Sequence, residues 1–113
     1  MNILHISDLH FGPRHWEEDD QILLEKINSY DADIVINTGD NTTDGLEDEY
    51  AEAGRFLKAI TCENVISIIG NHDKRNMRSH ELFRKYIYSP VKGSNLLLSL
   101  ANFYCITMLC PDH

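Results

Sequence analysis

Short apolar runs alternate with helical stretches along the chain, and each run ends in a polar cluster. Residues 2–7 (NILHIS) read as a buried strand that stops at Asp8. Over residues 16–30, Leu23, Ile27 and Tyr30 recur at helical spacing, with Glu17, Glu18, Asp19 and Asp20 in the first turns, where negative charge suits the helix dipole. Residues 33–37 (DIVIN) are β-branched and apolar and run into Thr38-Gly39-Asp40, a turn ending in a carboxylate. Asp44 with Glu47 makes a capping-box pattern, after which Leu46, Tyr50, Ala53, Leu57 and Ile60 mark one face of a second helix that ends near Thr61. A third strand over 64–69 (NVISII) runs into Gly70-Asn71-His72-Asp73, Ser79 caps a third helix through Tyr88, and Pro90 stops it. The stretches 96–100 and 103–109 read as a β-hairpin or two further strands.

The order β-α-β-α-β with intervening helices specifies an α/β fold in which parallel strands are joined by right-handed crossovers. In open sheets of this kind ligands bind beyond the carboxyl ends of the strands. Asp8, His10, Asp40, Asn71, His72 and Asp73 all follow directly after a predicted strand, so three clusters far apart in sequence become neighbours at one sheet edge.

With 113 residues the chain is one domain at most, and its 42% hydrophobic and 25% charged content is that of a globular protein. Eighteen acidic against ten basic residues leave a net charge of −8, which argues against sequence-independent binding to polyanions. Acidic residues that hold divalent cations would offset part of that charge. No apolar run approaches the ~20 residues of a membrane span and no leader pattern is visible, so a soluble cytoplasmic protein is the default. Cys62, Cys105 and Cys110 show no CxxC spacing and read as reduced structural residues.

Each polar cluster has an ordinary reading as a solvated turn or a helix cap. Their joint occurrence after three successive strands, with Gly39 and Gly70 permitting tight turns, points to a common site. A mixed Asp, Asn and His donor set suits Mn, Fe, Zn or Mg ions rather than thiolate-preferring metals. Neither G-x-G-x-x-G nor a P-loop is present, which argues against a plain nucleotide-binding domain.

The runs ISDLHFG at 6–12, TGD at 38–40 and GNHD at 70–73 resemble, in order, the first three motifs of the calcineurin-like metallophosphoesterase family: D-x-H, G-D and G-N-H-D/E. The wording around Asp8 is most similar to the cyclic-nucleotide phosphodiesterase and exonuclease-like branches. The resemblance implies an α/β architecture, a βαβαβ-type layered half of the four-layer α/β/β/α metallophosphoesterase fold, and two divalent metal ions, Mn, Fe or Zn with Mg as a further candidate. It implies that Asp8 and His10 bind the first metal, that Asp40 bridges both and that Asn71 binds the second. Two-metal sites ~3.5–4 Å apart clamp the attacking and leaving oxygens of an in-line displacement and acidify the attacking water. His72 then stands near the leaving group or a phosphate oxygen as a catalytic residue, with Asp73 orienting its ring.

The family's later motifs, an isolated His and G-H-x-H, have no counterpart. After His80 the only histidine is His113, which reads as a frayed tail rather than a ligand. On that resemblance residues 1–113 form a single calcineurin-like phosphoesterase domain that is incomplete at its C-terminal end, with a sheet face left for a second sheet.

Around the motifs, His5 reads as a core imidazole, and His15 and Trp16 either line a substrate rim or are surface aromatics. Asn41 either supports the substrate site through its amide or is a turn residue, and Arg75, within the basic group Lys74, Arg75, Arg78, Arg84 and Lys85, either meets an anionic phosphate or lies on a solvated face. The leading expectation is a phosphodiesterase acting on a phosphate ester such as a cyclic nucleotide or a nucleic acid end. The alternatives are a catalytically incomplete metal- or phosphate-binding half-domain, and a protein active only after a second chain or a homo-oligomer completes the fold.

Overall fold

A computed structural model of the chain describes residues 1–13, 15 and 19–89. The expected strands over 96–100 and 103–109, with Arg14, Trp16, Cys105, Cys110 and His113, lie outside the described residues. Among those described, strands β1 (Ile3–Ile6), β2 (Ile34–Asn37) and β3 (Val65–Ser67) form a parallel sheet in the order β1-β2-β3. Helices α1 (Asp20–Ser29) and α2 (Glu47–Lys58) make the two crossovers, and a 3-10 turn at Asp73–Arg75 leads into α3 (Ser79–Tyr86). This is the α/β alternation that the hydrophobic pattern required.

Register decides which side of the sheet each residue serves. Leu4, Val35 and Val65 are aligned across the three strands and share one face. They join a core with Ile27, Tyr50, Ala53, Phe56, Leu57 and Leu82 from the helices. Ile34, Ile36 and Ile66 point the other way and are buried too, so β2 is enclosed on both faces as a central parallel strand should be. His5 is not a core residue: it is exposed, and its Nε2 meets the Thr38 hydroxyl at 2.8 Å.

Three helix details differ from the periodicity. On α1 Ile27 is buried as expected, but Leu24 rather than Leu23 is partly buried beside it, and Leu23 and Tyr30 are exposed. The start of α2 is capped by Glu49, whose Oε1 accepts the Asp44 and Leu46 amides at 2.8 and 3.3 Å, and not by the Asp44–Glu47 pair. Glu47 instead ties α2 to α3 by accepting from the Tyr86 hydroxyl at 2.6 Å, Lys85 at 3.2 Å and Arg78 at 3.4 Å. At α3 the cap position is Arg78, and Ser79 is the first helical residue. Two members of the basic group, Arg78 and Lys85, are thereby paired with acidic neighbours.

Leu82 is fully buried between α3 and the rest of the core. Leu82→Ala should lower the unfolding free energy in urea by about 2–5 kcal/mol, through lost apolar contact and the cavity left behind.

Candidate metal centre

The loops after β1 and β2 continue to pair beyond the strands. Thr38 donates its amide to Ile6 at 3.1 Å, Asp8 to the Gly39 carbonyl at 3.0 Å, His10 to Asp40 at 3.0 Å and Phe11 to Asn41 at 2.9 Å, and Thr43 returns to Phe11 at 2.9 Å. This extended ladder sets Asp8 and His10 beside Asp40, and one potential ligand atom of each lies within 4.8 Å of the others. The loop after β3 closes the group from the other side. A Cβ on Gly39 would stand 2.6 Å from the Gly70 nitrogen, and one on Gly70 would overlap Asp40, so the two turns meet too closely for any side chain.

The three clustered residues share an uncommon backbone. Asp8, His10 and Asp40 have φ of 60°, 50° and 54°; among the described residues Asp31 alone joins them as a non-glycine with positive φ. Left-handed backbone at such residues costs on the order of 1–3 kcal/mol each and persists where the surroundings hold it, commonly at functional sites. Here the cross-loop hydrogen bonds hold it and turn the side chains toward one another.

The electrostatics fit a cation. Ser7 donates its hydroxyl to Asp8 Oδ2 at 2.7 Å, and this bond, with lesser help from His10 and Asp40, holds the Asp8 carboxyl below its usual value against the opposing effect of partial burial. Any stability from that ionised carboxylate is present above the ordinary Asp value and is lost as pH falls through the depressed one. Asp40 Oδ1 accepts the His72 amide at 3.0 Å. His10 Nε2 lies 3.4 Å from Asp8 Oδ1, and its Nδ1 is buried with no hydrogen-bond partner among the described residues. Two carboxylates that converge on an imidazole with an unsatisfied nitrogen form an oxygen and nitrogen donor set, and a divalent ion would neutralise their mutual repulsion.

His72 stands against this group, its ring edge-on to that of His10 at 4.8 Å. Its Nδ1 meets the Thr43 carbonyl at 2.8 Å, which makes Nδ1 the donor, and Nε2 has no hydrogen bond among the described residues. Asp73 does not orient that ring. Its fully buried carboxylate accepts from Asn41 N at 3.2 Å and Nδ2 at 3.0 Å, from Thr42 N at 2.9 Å and Oγ1 at 2.8 Å, and from Gly70 N at 2.9 Å. A carboxylate this far from water stays inside only when several donors satisfy it, and these donors come from both loops.

Asn41 is likewise fully buried, its amide bonded to Asn37, Ile68 and Asp73, so it braces the loops and does not face a substrate. Arg75 is half exposed and donates to Asp44 Oδ1 at 3.0 Å and to the Thr43 carbonyl at 3.3 Å, the same oxygen that holds His72. Asn71 is exposed between Gly70 and His72, both of which contact Asp40. His15 lines no rim: its side chain is turned inward, 6% exposed. Thr42, Thr43 and Asn37 carry much of the support yet have no signature of their own in the sequence, because their role depends on partners some 30 positions away.

Adding Mn²⁺ should raise the melting temperature of the protein, since a ligand bound only by the native state stabilises it. In Asp40→Ala that rise should disappear in differential scanning fluorimetry, while the metal-free melting temperature changes far less.

No helix among the described residues is long and apolar enough to cross a membrane. Residues 1–110 match the family described as calcineurin-like phosphoesterase (Metallophos). The chain is also similar to a probable cyclic nucleotide phosphodiesterase of Coxiella burnetii (strain RSA 493 / Nine Mile phase I), with 31% identity over 97 residues, 80% of this chain and 39% of that protein. It thus spans well under half the length of that relative. With the D-x-H, G-D and G-N-H-D residues gathered at the carboxyl edge of a parallel sheet, and with the match running through residues 1–110, the chain belongs to the calcineurin-like phosphoesterase family.

Proposed function

We propose that the protein is a metal-dependent phosphoesterase that hydrolyses the P–O bond of a phosphodiester. The observation that carries this reading is the convergence of Asp8, His10 and Asp40 beside the His72 ring. In it Asp8 and His10 would hold one divalent ion, Asp40 would be shared between two and Asn71 would serve the second. Bound ions of this kind supply Lewis-acid charge and a water acidic enough to serve as a nucleophile at neutral pH.

The remaining chemistry belongs to the side chains. His72, with Nδ1 committed to Thr43, presents Nε2 to the substrate, where a protonated ring donates to the departing alkoxide or to a phosphate oxygen. Arg75 shares the Thr43 carbonyl with His72 and is paired with Asp44, so a substrate anion would draw on its charge only by competing with that carboxylate. Asp73 and Asn41 keep the two loops at fixed separation, so that His72 stays beside the Asp8, His10 and Asp40 group. The similarity to a probable cyclic nucleotide phosphodiesterase supports a cyclic nucleotide as substrate, ahead of a nucleic acid end or another phosphodiester.

A second reading starts from the same Asp8, His10 and Asp40 group. In it the same residues bind a single ion or a phosphate without turnover, or gain activity when another chain contributes ligands.

Hydrolysis of bis-p-nitrophenyl phosphate with added Mn²⁺ separates these readings. The phosphodiesterase reading expects turnover that EDTA removes, that Asp40→Ala abolishes and that His72→Ala lowers by about 10²–10⁴-fold, the usual contribution of a positioned acid or base. Mn²⁺ binding without turnover in the wild type would instead establish the binding reading.

A further inference from the structure

His15 lies outside the D-x-H motif yet touches the peptide at its centre. Its Nδ1 is 2.7 Å from the carbonyl oxygen of Leu9, the residue between Asp8 and His10. Its Nε2 is hydrogen-bonded to the Asp20 carboxylate in the first turn of α1. The ring stacks on Phe11 with centroids 3.9 Å apart and planes 20° from parallel, and its own amide donates to the Gly12 carbonyl at 3.1 Å. A carbonyl oxygen can only accept, so Nδ1 is the donor to Leu9, and Nε2 shares its hydrogen bond with the Asp20 carboxyl group while the ring rests on an aromatic face.

The placement matters because the Leu9 peptide joins two residues in left-handed backbone, Asp8 and His10. Strained residues hold their geometry only where the surroundings over-determine it. On one side the Asp8 and His10 amides are held by Gly39 and Asp40, and the His10 carbonyl accepts from the Thr43 hydroxyl at 2.9 Å. On the other side the Leu9 carbonyl is held by His15.

We propose that His15, bridging the Leu9 carbonyl and the Asp20 carboxylate, is a positioning residue that sets the geometry of the Asp8 and His10 ligand pair. The role rests on the metal-dependent reading above, and it anchors the motif loop to α1 through a side chain that never meets the ion.

The test uses two variants: His15→Phe keeps the stack on Phe11 and loses both hydrogen bonds, and His15→Gln retains a donor for Leu9. The expected results in His15→Phe are a Mn²⁺ affinity weaker by about 10–100-fold, the range seen when a group that orients a metal ligand is removed, and an unchanged KM for bis-p-nitrophenyl phosphate at saturating Mn²⁺. His15→Gln should recover part of the affinity. Hydrogen exchange should quicken at the His10 and Phe11 amides while that of Val35 in β2 stays as it is. Ile27→Val, which loosens α1 without touching the loop, should leave Mn²⁺ affinity unaltered, so general destabilisation is told apart from positioning.

Full Mn²⁺ affinity together with unaltered amide protection in His15→Phe would overturn the proposal. If the wild type itself bound no Mn²⁺, the metal-dependent reading would fall, and the exchange data alone would decide His15: selective loss of protection supports it and unchanged protection overturns it.

Discussion

The Asp73 carboxylate is sealed from water and accepts from five donors, four on Asn41 and Thr42 after β2 and one on Gly70 after β3. An anion in that position is tolerable only with its lone pairs filled, so the two loops are held at the separation that fills them. The Asp73 carbonyl in turn accepts from the buried Tyr50 hydroxyl at 2.8 Å, which fixes the same turn to α2. Burial and then the Asp73 charge push the Tyr50 phenol well above its usual value, so it remains a donor throughout the pH range of a folded protein. Asp40 lies one residue before this lock on one loop and His72 one residue before it on the other.

The candidate metal centre is built outward from that lock. Gly39 and Gly70 let the two turns come into contact, the ladder between the first and second loops carries Asp8 and His10 alongside, and the Thr43 carbonyl receives both His72 and Arg75. Strain at Asp8, His10 and Asp40 is concentrated where these constraints overlap. A rigid hydrogen-bonded frame holds the two carboxylates of the candidate centre close together, as a cation site would require.

Much of this was legible in the sequence. The β-α-β-α-β order, the three strand cores and the clustering of Asp8, His10, Asp40 and His72 at one edge follow from periodicity and from the position of each polar group after a strand. Helix details were less legible. On α1 Leu24 takes the place expected of Leu23, and the cap of α2 is Glu49 rather than Glu47, because burial on a helix answers to what packs against it and the carboxylate that reaches the Asp44 and Leu46 amides is set by where the helix starts. His15 and Asn41 were ambiguous for a related reason, since an imidazole or an amide in a loop faces inward or outward according to partners that local spacing does not name, and His5, expected in the core, is exposed on β1.

The chain by itself determined the element order, the parallel class of sheet and which residue types arrive at its carboxyl edge, since these depend on local periodicity, on turn residues and on the short reach of the connections. Only the tertiary structure decided the division of labour among those residues. Asp73 follows His72 in sequence, yet its carboxylate turns inward to Asn41, Thr42 and Gly70 while the His72 ring turns to Thr43, some 30 residues away. Side chains adjacent on a tight turn point in different directions, and which direction meets an acceptor, a donor or a void is settled by the neighbouring loop.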